Sequence, residues 1–157
     1  AGELVVQLAP VLAAMSSRVY HRDVTPRNIQ MQRLASGDFR FGLVDFGLAV
    51  DAESWRTQVA SSDLGGDGRY WPPSAWFVFG HGMQELRRHP ALDVEYRTAL
   101  DVHSLGLSAL RCLVELLPSP DQLEADPRLR EVAPAFREIR GAWQRYWADA
   151  RRFWQPV

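Results

Sequence analysis

His21, Arg22 and Asp23 stand in a row, Asn28 follows after four intervening residues, and Asp45-Phe46-Gly47 begins seventeen residues beyond Asn28. Asp23 is a carboxylate of the kind that orients a hydroxyl and takes up its proton. Asn28 and Asp45 carry hard oxygens, one neutral and one charged, of the kind Mg²⁺ prefers. Gly47 lets the chain turn sharply behind them. The plainer alternative is a packed histidine at position 21 and a backbone cap at position 23.

These residues need a frame. Leu4, Leu8, Val11, Leu12, Met15 and Val19 recur at three-to-four spacing, which predicts an amphipathic helix over residues 3–19 with a kink at Pro10. Ile29 to Leu34 and Phe39 to Val44 are short β-prone runs around Ala35-Ser36-Gly37-Asp38, a hairpin signal. Residues 51–70 are polar and rich in glycine and read as a long exposed loop. An aromatic stretch from Ala75 to Phe79 follows Trp71-Pro72-Pro73, and Met83 to Arg88 looks helical. A very apolar helix is expected over 99–117, stopped by Pro118-Ser119-Pro120. Finally Phe136, Ile139, Trp143, Trp147 and Trp154 mark one face of a long helix that Pro134 opens. That face reads as core, and Arg137, Arg140, Arg145, Arg151 and Arg152 beside it offer a possible protein-binding surface.

The chain has 157 residues, 46% hydrophobic and 24% charged, with a net charge of -1. This excludes a disordered polar tail and a basic nucleic-acid arm, so no nucleic-acid partner is expected. The longest apolar candidate, Leu100 to Leu117, carries Asp101, His103, Arg111 and Glu115, so no membrane span is expected. Cys112 is the single cysteine and has no internal disulfide partner, which favours an intracellular setting. All 18 basic side chains among Lys and Arg are Arg, so no ammonium group is available for catalysis. Ala1 already reads as the inside of a helix, which predicts further chain upstream.

Taken in order and at matching separation, His21-Arg22-Asp23, Asn28 and Asp45-Phe46-Gly47 resemble the protein kinase family, with its H-R-D-x-x-x-x-N catalytic loop and D-F-G metal motif. Tyr70-Trp71-Pro72-Pro73-Ser74 stands where that family closes its activation segment, and Asp101-Val102-His103-Ser104-Leu105-Gly106 looks like the opening of its central buried helix. The resemblance implies a mainly α kinase C-lobe over residues 1–157, with a small β-hairpin between catalytic loop and D-F-G motif. Its parts would be a first helix at 3–19, a catalytic loop at 21–28, an activation segment at 45–74, a central helix at 99–117 and C-terminal helices at 118–157.

By the same resemblance, Asp23 would position the acceptor hydroxyl, and Asn28 and Asp45 would hold Mg²⁺ with ATP, Phe46 and Gly47 completing the nucleotide side. Arg22 would pair with a phosphate or acid on the activation segment, where Thr57, Ser61 and Ser62 are the hydroxyls on hand, and Asp101 would hold the loop backbone. Thr25 takes the catalytic-loop position where Ser/Thr kinases usually carry Lys, Asp67 stands for their usual Thr, Ser74 for the closing Glu and His103 for Trp. A positive charge is thereby missing near the transferred phosphoryl group. The glycine-rich loop, strand Lys and partner Glu of an N-lobe are absent, and Gly65-Gly66-Asp67-Gly68 lies after the metal motif and cannot replace them. This chain alone is therefore expected to be inactive, with an N-lobe or another protein as its partner and a protein as the substrate of the complete enzyme. Two alternatives follow: an inactive kinase-like lobe that docks or scaffolds other proteins, and a small-molecule phosphotransferase of the aminoglycoside kinase type.

Overall fold

The computed structural model describes residues 1–58 and 64–154, the side chains of Gln58 and of residues 150–154 excepted. It is mainly helical with two small antiparallel sheets. Contacts divide the chain into two units, Ala1–Ala109 and Leu110–Val157.

In the first unit, α1 (Gly2–Met15) buries Leu4, Leu8 and Leu12, the i, i+4, i+8 stripe of its apolar face. The helix ends four residues before the expected boundary at 19. Ser16 and Ser17 turn their hydroxyls back on Ala13 and Ala14 carbonyls, and Val19 leaves the helix to form β1 (Val19–Tyr20). The expected hairpin forms from β2 (Ile29–Arg33) and β3 (Phe39–Leu43), registered from Ile29 opposite Leu43 to Arg33 opposite Phe39. Gly37 supplies the positive φ of its turn, 91°. The far edge of β3 is not left open. The Gln7 amide donates to the Phe39 carbonyl at 2.8 Å and accepts from the Phe41 N–H at 3.0 Å, tying α1 to the hairpin.

The segment 51–70 is not the long exposed loop its composition suggests. β4 (Val50–Asp51) pairs with β1, and α2 (Ala52–Gln58) follows at once. The Asp51 carboxylate accepts from the Ser54 N–H at 2.8 Å, and Ala52 and Trp55, one turn apart, are buried. Tertiary burial of two residues outweighs the polar average of the segment. Thr57, in α2, returns its hydroxyl to the Glu53 carbonyl, while Ser61 and Ser62 lie outside the described residues.

Beyond a short turn at Gly68–Tyr70 come α3 (Pro73–His81), α4 (Met83–Leu86) and α5 (Pro90–Thr98). α5 has no counterpart in the sequence reading, for Tyr96 is its only buried residue. Tyr20, Ala52, Trp55, Ala75, Val78, Met83, Leu86, Tyr96 and Leu100 form one cluster beneath these elements. α6 (Leu100–Leu116) occupies the span expected for the apolar helix, but it buries Asp101, Ser104 and Ser108 among its leucines.

The second unit holds α7 (Pro120–Ala125) and α8 (Ala133–Trp154). Ser119 and Gln122 form a reciprocal capping box at the start of α7. Trp143 is buried and stacks on Tyr146 at 5.5 Å, with Trp147 edge-on at 5.2 Å, and Arg140 donates to the Leu117 and Pro118 carbonyls. The side chains of Arg151, Arg152 and Trp154 lie outside the described residues. Among the described residues, no helix is long and apolar enough to cross a membrane.

Leu8 is 1% exposed and Val6, on the opposite face of α1, is 73% exposed. Leu8→Ala is expected to cost about 2–5 kcal/mol in urea denaturation through the cavity it leaves. Val6→Ala should stay within about 0.5 kcal/mol of the parent.

Candidate active site

Residues 21–25 leave β1 as irregular backbone ahead of a 3-10 turn at Pro26–Asn28, and such backbone must find partners for its N–H and C=O groups. Asp101, at the start of α6 and 5% exposed, supplies two: Oδ2 accepts from the His21 N–H and Oδ1 from the Arg22 N–H, both at 2.7 Å. One turn and two turns further along the same helix face, Ser104 donates to the Tyr70 carbonyl and Ser108 to the Val24 carbonyl, each at 2.9 Å. Burial pushes the Asp101 carboxyl pKa up, and the N–H donors of His21 and Arg22, with the Arg22 charge, oppose this without overcoming it.

His21 is fully buried and links the two motifs. Its Nδ1 accepts from the Asp23 N–H at 3.3 Å, which leaves Nε2 to carry the proton and donate to the Val44 carbonyl at 3.0 Å. Its ring lies 4.7 Å from that of Phe46. Asn28 is joined to the same residue, for its carbonyl accepts from the Val44 N–H at 3.0 Å. The hairpin register thus brings Asn28 beside the residue that precedes Asp45.

The Asn28 side chain grips Asp23. Its Nδ2 donates to the Asp23 carbonyl at 2.9 Å and to the Asp23 Oδ2 at 2.7 Å. The other oxygen of Asp23, Oδ1, accepts from the Asp67 N–H at 3.0 Å. With its amide nitrogen so committed, Asn28 has Oδ1 as the atom it can offer to a cation. Asp45 is exposed, and its Oδ1 accepts from the Gly47 N–H at 3.2 Å. Asn28 Oδ1 and the Asp45 carboxylate are hard oxygens of the kind Mg²⁺ prefers, an ion commonly held by one or two protein oxygens plus phosphates and water. No group of three or more His, Cys, Asp or Glu able to hold a metal occurs among the described residues.

Only Arg22 (φ 67°) and Asp45 (φ 62°) among the described non-glycine residues adopt positive φ, one in each motif. Such a backbone costs about 1–2 kcal/mol per residue and persists only where neighbours hold it in place. For Arg22 those neighbours include the Asp101 bond and the face of Trp55, 4.8 Å beneath the guanidinium. Gly65 and Gly66 close over this site. A Cβ on Gly65 would lie 2.3 Å from Arg22 Nη2, and one on Gly66, whose φ is 79°, would lie 2.2 Å from the Arg22 carbonyl oxygen. Thr25 is 2% exposed, so it shapes the loop from beneath rather than meeting a ligand from solvent.

Sequence reasoning passed over Ser104 and Ser108, although their spacing from Asp101 on an apolar helix was a readable signal. It also missed the part played by Gly65, Gly66 and Asp67. Asp67 is bridged to Arg27 at 3.0 Å and to Arg69. Burial raises its carboxyl pKa, but hydrogen bonds from Arg69 and the charges of Arg69 and Arg27 outweigh that and hold it below the usual range. Comparison with protein-family models, with curated proteins and with solved structures finds no match.

Asp101→Ala strands the buried His21 N–H and the half-buried Arg22 N–H and should lower stability by about 2–4 kcal/mol in urea denaturation. Because the folded-state pKa of Asp101 is raised, the folded chain binds this proton more tightly than the unfolded one, so the contribution to stability is fully present below the unfolded value near 3.8 and is lost as pH rises through the folded value. Asp101→Asn should remove this slope, as read from the difference between the two stability curves across the acid range. Gly66→Ala combines a clash with a left-handed backbone and should destabilise by about 1–3 kcal/mol in the same assay.

Proposed function

We propose that this chain is the C-lobe of a protein kinase-like phosphotransferase, and that its loop serves transfer of a phosphoryl group from Mg-ATP to a protein hydroxyl. The observation that supports this most is that Arg22 and Asp45, the two strained residues, fall in the two motifs, which His21 joins through Asp23 and Val44. Strain held at such cost is characteristic of working sites. Asp23, positioned by Asn28 and Asp67, would orient the acceptor hydroxyl and receive its proton. The new oxygen–phosphorus bond forms as the bond to the nucleotide's leaving oxygen breaks. Asn28 Oδ1 and the Asp45 carboxylate would hold Mg²⁺, which neutralises charge on the transferred group. The reading requires a second lobe for the nucleotide, carried on the same polypeptide or on another chain.

One observation favours the non-catalytic, docking reading instead. Thr25 is buried where the resemblance leads one to expect a lysine facing the phosphoryl group, and the sequence contains no lysine to take its place.

The test is transfer of label from γ-labelled Mg-ATP to generic protein acceptors by the natural protein purified from its source. Asp23→Asn should reduce the rate by about 100-fold or more. Mg-ATP should raise the melting temperature, and Asp45→Asn should abolish that rise. Absence of both transfer and a Mg-dependent shift would overturn the phosphotransferase reading and leave the docking one.

A further inference from the structure

The neighbour that fixes Asp23 is itself part of a charged cluster. Asp67, whose N–H binds Asp23 Oδ1, has a side chain only 14% exposed and gives its carboxylate to two arginines. Arg69 reaches both of its oxygens through Nε, at 2.8 and 3.0 Å, and adds a contact from Nη2. Arg27 reaches Oδ2 from the other side at 3.0 Å with Nη2 alone, and its side chain is 75% exposed. Two guanidinium groups facing one carboxylate leave a surplus positive charge beside the carboxylate that would receive the acceptor proton. The whole chain carries a net charge of -1, so this surplus is local. Arg27 also retains donors in a planar fork that matches a second carboxylate.

We infer that the Arg27–Asp67–Arg69 cluster selects acidic protein acceptors: a carboxylate flanking the acceptor hydroxyl pairs with Arg27 while the hydroxyl reaches Asp23. This rests on the phosphotransferase reading for the hydroxyl, but the charge recognition can be measured without turnover. Arg27 is the specificity-determining residue, Asp67 the group that positions it, and Arg69 the clamp that keeps Asp67 in place.

Three fluorescein-labelled peptides, each with one serine flanked by Asp and Glu, by Arg, or by Ala, would be titrated with the full chain and followed by anisotropy. At low salt the acidic peptide should bind at least about 10-fold tighter than the alanine one, and the difference should shrink as salt is raised. Arg27→Glu should erase that preference and favour the arginine peptide, while Arg27→Lys should keep part of it. Arg27 is exposed, so these variants should keep the parent circular dichroism, and Arg27→Gln replaces the charge swap if that variant unfolds. Equal binding of acidic and alanine peptides, or a preference unaffected by Arg27→Glu, would overturn the inference. The same peptides offered to the natural protein with Mg-ATP separate the two claims. Phosphorylation without acidic preference defeats the inference alone, and Arg27-dependent binding without phosphorylation defeats the phosphotransferase reading alone.

Discussion

Everything at the candidate site hangs on a stripe of buried polar side chains along α6. Asp101, Ser104 and Ser108 repeat at helical spacing, so one rigid face carries an acceptor pair and two hydroxyl donors. Their partners are all main-chain groups: the His21 and Arg22 N–H, the Tyr70 carbonyl and the Val24 carbonyl. His21, Arg22 and Val24 belong to no helix or ladder and Tyr70 ends a single 3-10 turn, so α6 supplies the partners these main-chain groups need. A single helix therefore sets the position of both segments against one another.

That anchoring makes the strained backbone affordable. Arg22 holds a left-handed conformation because its N–H is taken by Asp101 and its guanidinium rests on Trp55. The turn at Arg22 in turn lets His21 face Val44 while Asp23 faces Asn28. Gly66 then fits where a Cβ would meet the Arg22 backbone, and its approach delivers the Asp67 N–H to Asp23. Each step uses rigidity supplied by the one before it, and the outcome is a carboxylate with both oxygens held in fixed directions. Preorganisation of this kind is what proton transfer at a positioned hydroxyl requires.

Much of this was legible in the amino acids. The hairpin follows from alternating β-prone runs around Ser36-Gly37-Asp38, and α6 from its apolar length. Asp23, Asn28 and Asp45 were legible because their spacing lies within one short stretch of chain. α2 was not, since only Ala52 and Trp55 are buried and two apolar residues do not make a periodic pattern. α5 escaped for the same reason, with Tyr96 alone turned inward. The Arg27–Asp67 pair joins residues forty apart, a separation at which no local pattern operates. On α6 the resemblance already gave Asp101 its hold on the loop backbone, whereas Ser104 and Ser108 were given no role: their spacing was readable, but their partners are backbone atoms distant in sequence.

The proposal that Asn28 and Asp45 would hold one cation beside Asp23 is tested most directly by paramagnetic broadening. Manganese with a nucleoside triphosphate would be titrated into the isotopically labelled natural protein, with its second lobe, and followed by amide and side-chain NMR. The account predicts early, selective loss of the Asn28 side-chain signal and of the Asp45 and Gly47 amides. Uniform broadening, or selective loss elsewhere with Asn28 and Asp45 intact, would contradict it.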